Sequence, residues 1–105
     1  HLIRNEFPLD YKFSCENIKV WITHIGGYPN RYSKRISEGL KSEKVDLFIC
    51  GHSHILKVIN DKKNNLLHIN PGAIGKHGFH NKRTMVRFEI DGKKIENLEI
   101  IEFNR

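Results

Sequence analysis

Residues 45–54 read VDLFICGHSH, and the fold turns on how that stretch is read. Val45 to Cys50 is a compact apolar run that stops at Gly51. Its length and β-branched content mark a buried strand rather than a helix. Gly51 gives the backbone freedom to turn sharply out of that strand. Two histidines, His52 and His54, then bracket the small Ser53.

Working outward, residues 17–24, NIKVWITH, alternate. Ile18, Val20 and Ile22 fall on one side, Lys19 and Trp21 on the other, so a strand is expected that ends at Thr23 and His24. IGGYPNRYS follows, with loop chemistry, and Asn30 is the expected cap of what comes next. From Arg31 to about Lys44 the period changes. Tyr32, Ile36 and Leu40 recur every four residues, the stripe of a short amphipathic helix. Strand, helix and strand in this order make a βαβ unit with parallel pairing. His24 and the His52/His54 pair would then lie at the same edge of the sheet, where α/β folds place their ligands.

The rest is expected to be antiparallel. Residues 55–60 and 66–70 flank DKKNN, a hairpin turn, and NPGAIGKHG is a loop. TMVRFEID alternates through Val86, Phe88 and Ile90, and Asp91-Gly92 turns the chain into KKIENLEIIEF. The adjacent Ile100 and Ile101 suggest a bulge or a strand covered on both faces. Lys62-Lys63 and Lys93-Lys94 are expected as solvated turn lysines.

If the backbone is extended at 52–54, both imidazoles face one side. Two protonated rings so close would repel, and neutral nitrogen ligation of a divalent metal removes that conflict. His24 is topologically placed to join them. The bland alternative is a pair of solvent-facing loop histidines. A mononuclear site using Cys50 with His52 and His54 also fits the two-residue phase, although Cys50 reads more simply as core. His68 is out of phase with Leu67 and Ile69 and is expected to face outward. His77 and His80 sit in a glycine-bearing loop.

The 105 residues provide one domain with a modest core. Two cysteines, Cys15 and Cys50, do not make a disulfide framework and read as free thiols. The formal charge of +6 is spread along the chain, with no aromatic-interleaved basic stripe, so nucleic acid is not an expected partner. No apolar run is long enough to span a membrane, which points to a cytoplasmic protein. A chain that opens on His1 in a polar stretch reads as a piece of something longer.

DLFICGHSH, the upstream THIGG and the downstream NPGAIG together resemble the calcineurin-like metallophosphoesterases, in particular their small bacterial and archaeal phosphodiesterase branch. The likeness runs from about Lys19 to Gly75. It implies an α/β sandwich of two mixed sheets, of which residues 1–105 would be a single partial domain. That part is the carboxyl-terminal half: a βαβ unit followed by antiparallel strands. It implies a dinuclear site (manganese, nickel, zinc or iron) that hydrolyses phosphate esters, with His24 and His52 on one metal and His54 on the other. Asn70, Pro71 and Gly72 match the element that shapes the adjoining loop, beside Gly51. Tyr28 and Arg31 are candidate substrate contacts.

The family's amino-terminal motifs D-x-H, G-D and G-N-x-D are absent, and with them the bridging aspartate. Three neutral imidazoles alone would hold at most one ion, weakly, and this half would be inactive by itself. An exposed sheet edge would pair with the missing half or with a second copy. One retromer subunit shares this fold as a protein-binding scaffold, which is the alternative function.

Overall fold

A computed structural model describes residues 10–51, 53, 55–72 and 82–104. Seven strands and one helix are found among them: β1 (Asp10–Cys15), β2 (Ile18–Thr23), α1 (Lys34–Ser42), β3 (Leu47–Cys50), β4 (Leu56–Asp61), β5 (Leu66–Pro71), β6 (Lys82–Asp91) and β7 (Lys94–Asn104). Five strands form one sheet in the order β1-β2-β3-β5-β4, and β6 and β7 form a second. The expected βαβ unit is present, with β2 parallel to β3 through Val20↔Leu47 to Thr23↔Cys50. β5 inserts beside β3, also parallel, and pairs antiparallel with β4 on its far side. Asp46 ties the start of this arrangement together: its carboxylate accepts from Lys19 N, its N–H donates to Lys19 O and its carbonyl accepts from Leu67 N.

The central sheet is covered on both faces, which is why several strand positions depart from simple alternation. On one face α1 lays Ile36 and Leu40, with Tyr32 one turn earlier, over Trp21, Phe48, Cys50 and Leu66. Trp21, on the opposite side of β2 from Ile18 and Val20, is therefore buried too. It packs edge-on to Phe48 and donates its indole N–H to Asp10 at 3.1 Å. On the other face Ile18, Val20, Leu47 and Ile69 pack against Val86, Phe88 and Ile90 of β6 and Ile95 and Leu98 of β7.

Other details depart from expectation. β1 adds an antiparallel edge strand whose two-residue turn puts Glu16 in the left-handed region at φ 52°. The helix starts after Ser33 rather than at Asn30, which itself adopts φ 69° in the preceding loop. The irregularity in the second sheet falls between Arg87 and Glu89, opposite the left-handed Asn97, and not at Ile100-Ile101. The turns bear on one another as well: Asn17 N donates to Gly92 O at 2.9 Å and Glu16 accepts from Gly92 N. No helix among the described residues is long and apolar enough to cross a membrane.

Candidate functional site

The parallel register of β2 and β3 ends at Thr23 and Cys50, so the next residues, His24 and Gly51, leave the sheet side by side. Gly51 N donates to His24 O at 3.0 Å. A Cβ at residue 51 would stand 3.9 Å from His24 Nδ1, so the His24 ring lies along that backbone. His24 is exposed and borders an open depression of about 410 Å³, with Tyr11, Thr23, Cys50, Gly51 and Pro71 also on its wall.

His52 and His54 lie outside the described residues, as do His77 and His80. Among the described residues no three His, Cys, Asp or Glu side chains gather closely enough to hold a metal ion. Cys50 packs in the core under α1, and burial pushes its thiol up to about 11 against the opposing pull of the Gly26 backbone. Both cysteines are free.

Asn70 carries the hydrogen bonds that shape this edge. It is 1% exposed, yet its amide groups are engaged three times. Nδ2 donates to Gly51 O at 3.3 Å and to Ser53 Oγ at 3.0 Å, and Oδ1 accepts from Gly72 N at 3.1 Å. Ser53 Oγ also shares a hydrogen bond with the Tyr28 hydroxyl and accepts from Ile55 N at 3.4 Å. Gly72 has φ +77°, and a Cβ there would meet Thr84 Oγ1 at 2.0 Å. Thr84 needs that space because its hydroxyl donates to Pro71 O at 2.8 Å, tying this turn to the second sheet.

The loop after His24 is held just as closely. Gly26 lies against the Phe48 ring, where a Cβ would approach to 2.6 Å, and its carbonyl accepts from Ser33 N. Arg31 N donates to Tyr28 O at 2.7 Å, leaving the Arg31 side chain exposed and Tyr28 half-buried. At the foot of α1, Arg35 pairs with Asp10 at 2.6 Å and donates to Thr23 Oγ1 at 3.2 Å. Burial raises the Asp10 carboxyl. Bonds from Arg35, Trp21 and Thr23, with the Arg35 charge, outweigh that and hold it below the usual carboxylate range.

His68 was expected to face solvent, but it is fully buried among Tyr28, Tyr32 and Phe48. Its strand is the one that pairs with β3 under α1, so the position opposite Phe48 faces the helix. Tyr32 donates to Asp61 at 3.0 Å, and His68 Nδ1 lies 3.4 Å from the same hydroxyl. Burial lowers the His68 pKa, opposed by the charge of Asp61. Burial raises the Asp61 carboxyl, but bonds from Asn64 and Tyr32 leave it lowered, and desolvation with the Asp61 bond raises Tyr32. His68 Nε2 has no partner among the described residues. The signal for this site was the unbroken run LLHIN, which fits a strand covered on both faces better than one facing water.

Against known proteins, the calcineurin-like phosphoesterase superfamily domain matches residues 1–93. A search of curated proteins found no match. Among solved structures, a novel archaeal phosphodiesterase superposes with a TM-score of 0.66 at 21% identity, over 90% of this chain and 51% of its own. A predicted phosphoesterase from Streptococcus pneumoniae gives 0.64 at 21%, over 94% and 63%. Vps29 of Entamoeba histolytica complexed with zinc gives 0.62 at 15%, over 90% and 59%. The chain thus spans roughly half to under two thirds of the length of these structures.

Proposed function

The chain belongs to the calcineurin-like phosphoesterase superfamily, and from that premise we propose that it supplies three histidine ligands, His24, His52 and His54, to a dinuclear phosphoesterase site. The observation that carries this reading is the Gly51–His24 backbone bond. It joins His24, just past the end of β2, to Gly51, the residue immediately before His52 in sequence.

The donor chemistry at this edge fits a divalent ion. The family binds divalent metals, and neutral imidazoles suit zinc, nickel, manganese or iron. A pair of ions needs bridging negative charge as well. The nearby carboxylate, Asp10, is committed to Arg35 and Trp21. We therefore assign at most one weakly held ion to residues 1–105 and both to a longer parent of which these residues are one partial domain, the carboxyl-terminal half. A bound metal pair would supply Lewis-acid polarisation of a phosphate ester and activation of a water for in-line attack. His24, which borders the depression, would hold one ion, and Arg31 would offset phosphate charge from the following loop. Tyr28 contributes the exposed part of its ring, since its hydroxyl is engaged with Ser53. Asn70, Pro71 and Gly72 keep the neighbouring turn in shape.

The test is hydrolysis of bis(p-nitrophenyl) phosphate with manganese by a parent polypeptide containing these residues. Turnover should fall at least about 100-fold in His24→Ala, in keeping with losing a ligand rather than an outer contact. Residues 1–105 alone should give none. An inert parent with manganese, nickel and zinc would overturn the reading.

One exposed apolar surface supports the partial-domain assignment. Tyr11, Phe13 and Ile22 remain 57%, 39% and 36% exposed beside the part of the sheet that β6 and β7 cover. We assign that face to the polypeptide segment by which the solved relatives exceed this chain. Stoichiometric association with that segment supports the assignment. Self-association abolished by Phe13→Lys would give the face to a second copy.

A further inference from the structure

We propose that Ser53 is a positioning residue, the centre of a hydrogen-bonded clasp that fixes the backbone at Gly51, Ser53 and Ile55, the sequence neighbours of the proposed ligands His52 and His54. The proposal rests on the site assignment above for its functional meaning, but its geometry stands independently. Ser53 is exposed and small, a residue that would ordinarily be dismissed as a spacer between two histidines. Three groups from different parts of the chain nevertheless converge on its hydroxyl. Asn70 Nδ2 donates to it from the end of β5, the Tyr28 hydroxyl meets it from the loop after β2, and Ile55 N donates from its own turn. Ser53 N in addition donates to Gly51 O at 3.0 Å, which closes the turn on itself.

Two arms of the clasp, Asn70 and Tyr28, rest on buried groups, so it constrains the backbone rather than following it. Asn70 is buried, and its remaining groups are held by Gly51 O and Gly72 N. The Tyr28 ring rests 5.7 Å from the His68 ring. His68 in turn lies against Tyr32, whose hydroxyl is bonded to Asp61 at the start of the β4–β5 turn. A line of contacts thus runs from Asp61 through Tyr32, His68 and Tyr28 to Ser53 and meets Asn70 from the other side. Fixing an outer group that orients ligands commonly matters about 10–100-fold in metal affinity. A hydroxyl on a short side chain suits this task because it can donate and accept at once. Thr retains that capacity and Ala does not.

Amide hydrogen exchange on the full chain, read residue by residue by NMR, tests the clasp without any metal. Ser53→Ala and Tyr28→Phe should each speed exchange at Gly51, Ser53 or Ile55 by about fivefold, the worth of one hydrogen bond. Amides of β3 and β5 should be unchanged, and Ser53→Thr should restore the wild-type rates. Unchanged exchange in Ser53→Ala, or equal loss of protection throughout β3 and β5, would overturn the proposal. A zinc titration of the same samples separates the two levels. Loosened exchange with about tenfold weaker zinc binding in Ser53→Ala supports both the clasp and the site. Loosened exchange in Ser53→Ala, together with a wild-type chain that binds no zinc, would leave the clasp standing and remove the site assignment.

Discussion

Gly72 and Thr84 occupy one another's space. The glycine carries φ +77°, and the threonine hydroxyl sits 2.0 Å from where a side chain at 72 would begin. That hydroxyl holds Pro71 O, so the contact couples the Asn70-Pro71-Gly72 turn to the second sheet. Gly72→Ala should destabilise the chain by roughly 2 kcal/mol or more, from left-handed strain and the clash together. Urea unfolding measures it. Adding Thr84→Ala should recover only the steric part, and complete recovery would mean that backbone strain contributes nothing.

Gly39 poses a contest of signs. Inside α1, Gly→Ala should gain about 1 kcal/mol of helix propensity. A methyl there would meet the Trp21 ring at 2.5 Å, and overpacking a tight core costs typically about 1–3 kcal/mol. The clash should win, so Gly39→Ala lowers stability in wild type. In a Trp21→Leu background, where the ring is gone, the same change should stabilise, and thermal unfolding of the double-mutant cycle reads the reversal. Stabilisation in both backgrounds would show that the indole can move aside.

Acid should weaken the fold in two stages. His68 has a lowered folded pKa, so the unfolded chain takes up its proton first. Stability from this group is full above the unfolded value of about 6.5 and is lost as pH falls from there through the folded value. Asp10 and Asp61 are also lowered, and their contribution is present above about 3.9 and lost as pH falls through their folded values. His68→Phe should flatten the profile just below about pH 6.5 and leave the carboxylate limb in place. An unchanged upper limb in that variant would rule out His68 as its source.

These examples also show where the sequence is informative. The parallel β2–α1–β3 unit was legible because Gly51 and the change from a two-residue to a four-residue period mark its boundaries. The hairpin turns at 62–65 and 92–93 announce themselves by composition. His68 was misplaced because alternation presumes a dry face and a wet face, and α1 and the second sheet leave the central strands with two dry faces. β1 escaped notice because its turn places Glu16, not glycine or asparagine, in the left-handed region. At the site, the motif order brought His24 toward Gly51. Nothing in the spacing of GHSH could reveal that Ser53 is held by Asn70 and Tyr28, because those bonds join residues 17 and 25 positions away.

The central claim is that His24 and the turn after Gly51 form one metal-binding edge. Zinc titration of the full chain by calorimetry tests it most directly, comparing wild type with His24→Ala. The account predicts one weakly bound equivalent in wild type and its loss in His24→Ala. Binding of equal affinity in both proteins, or none in wild type, would contradict it.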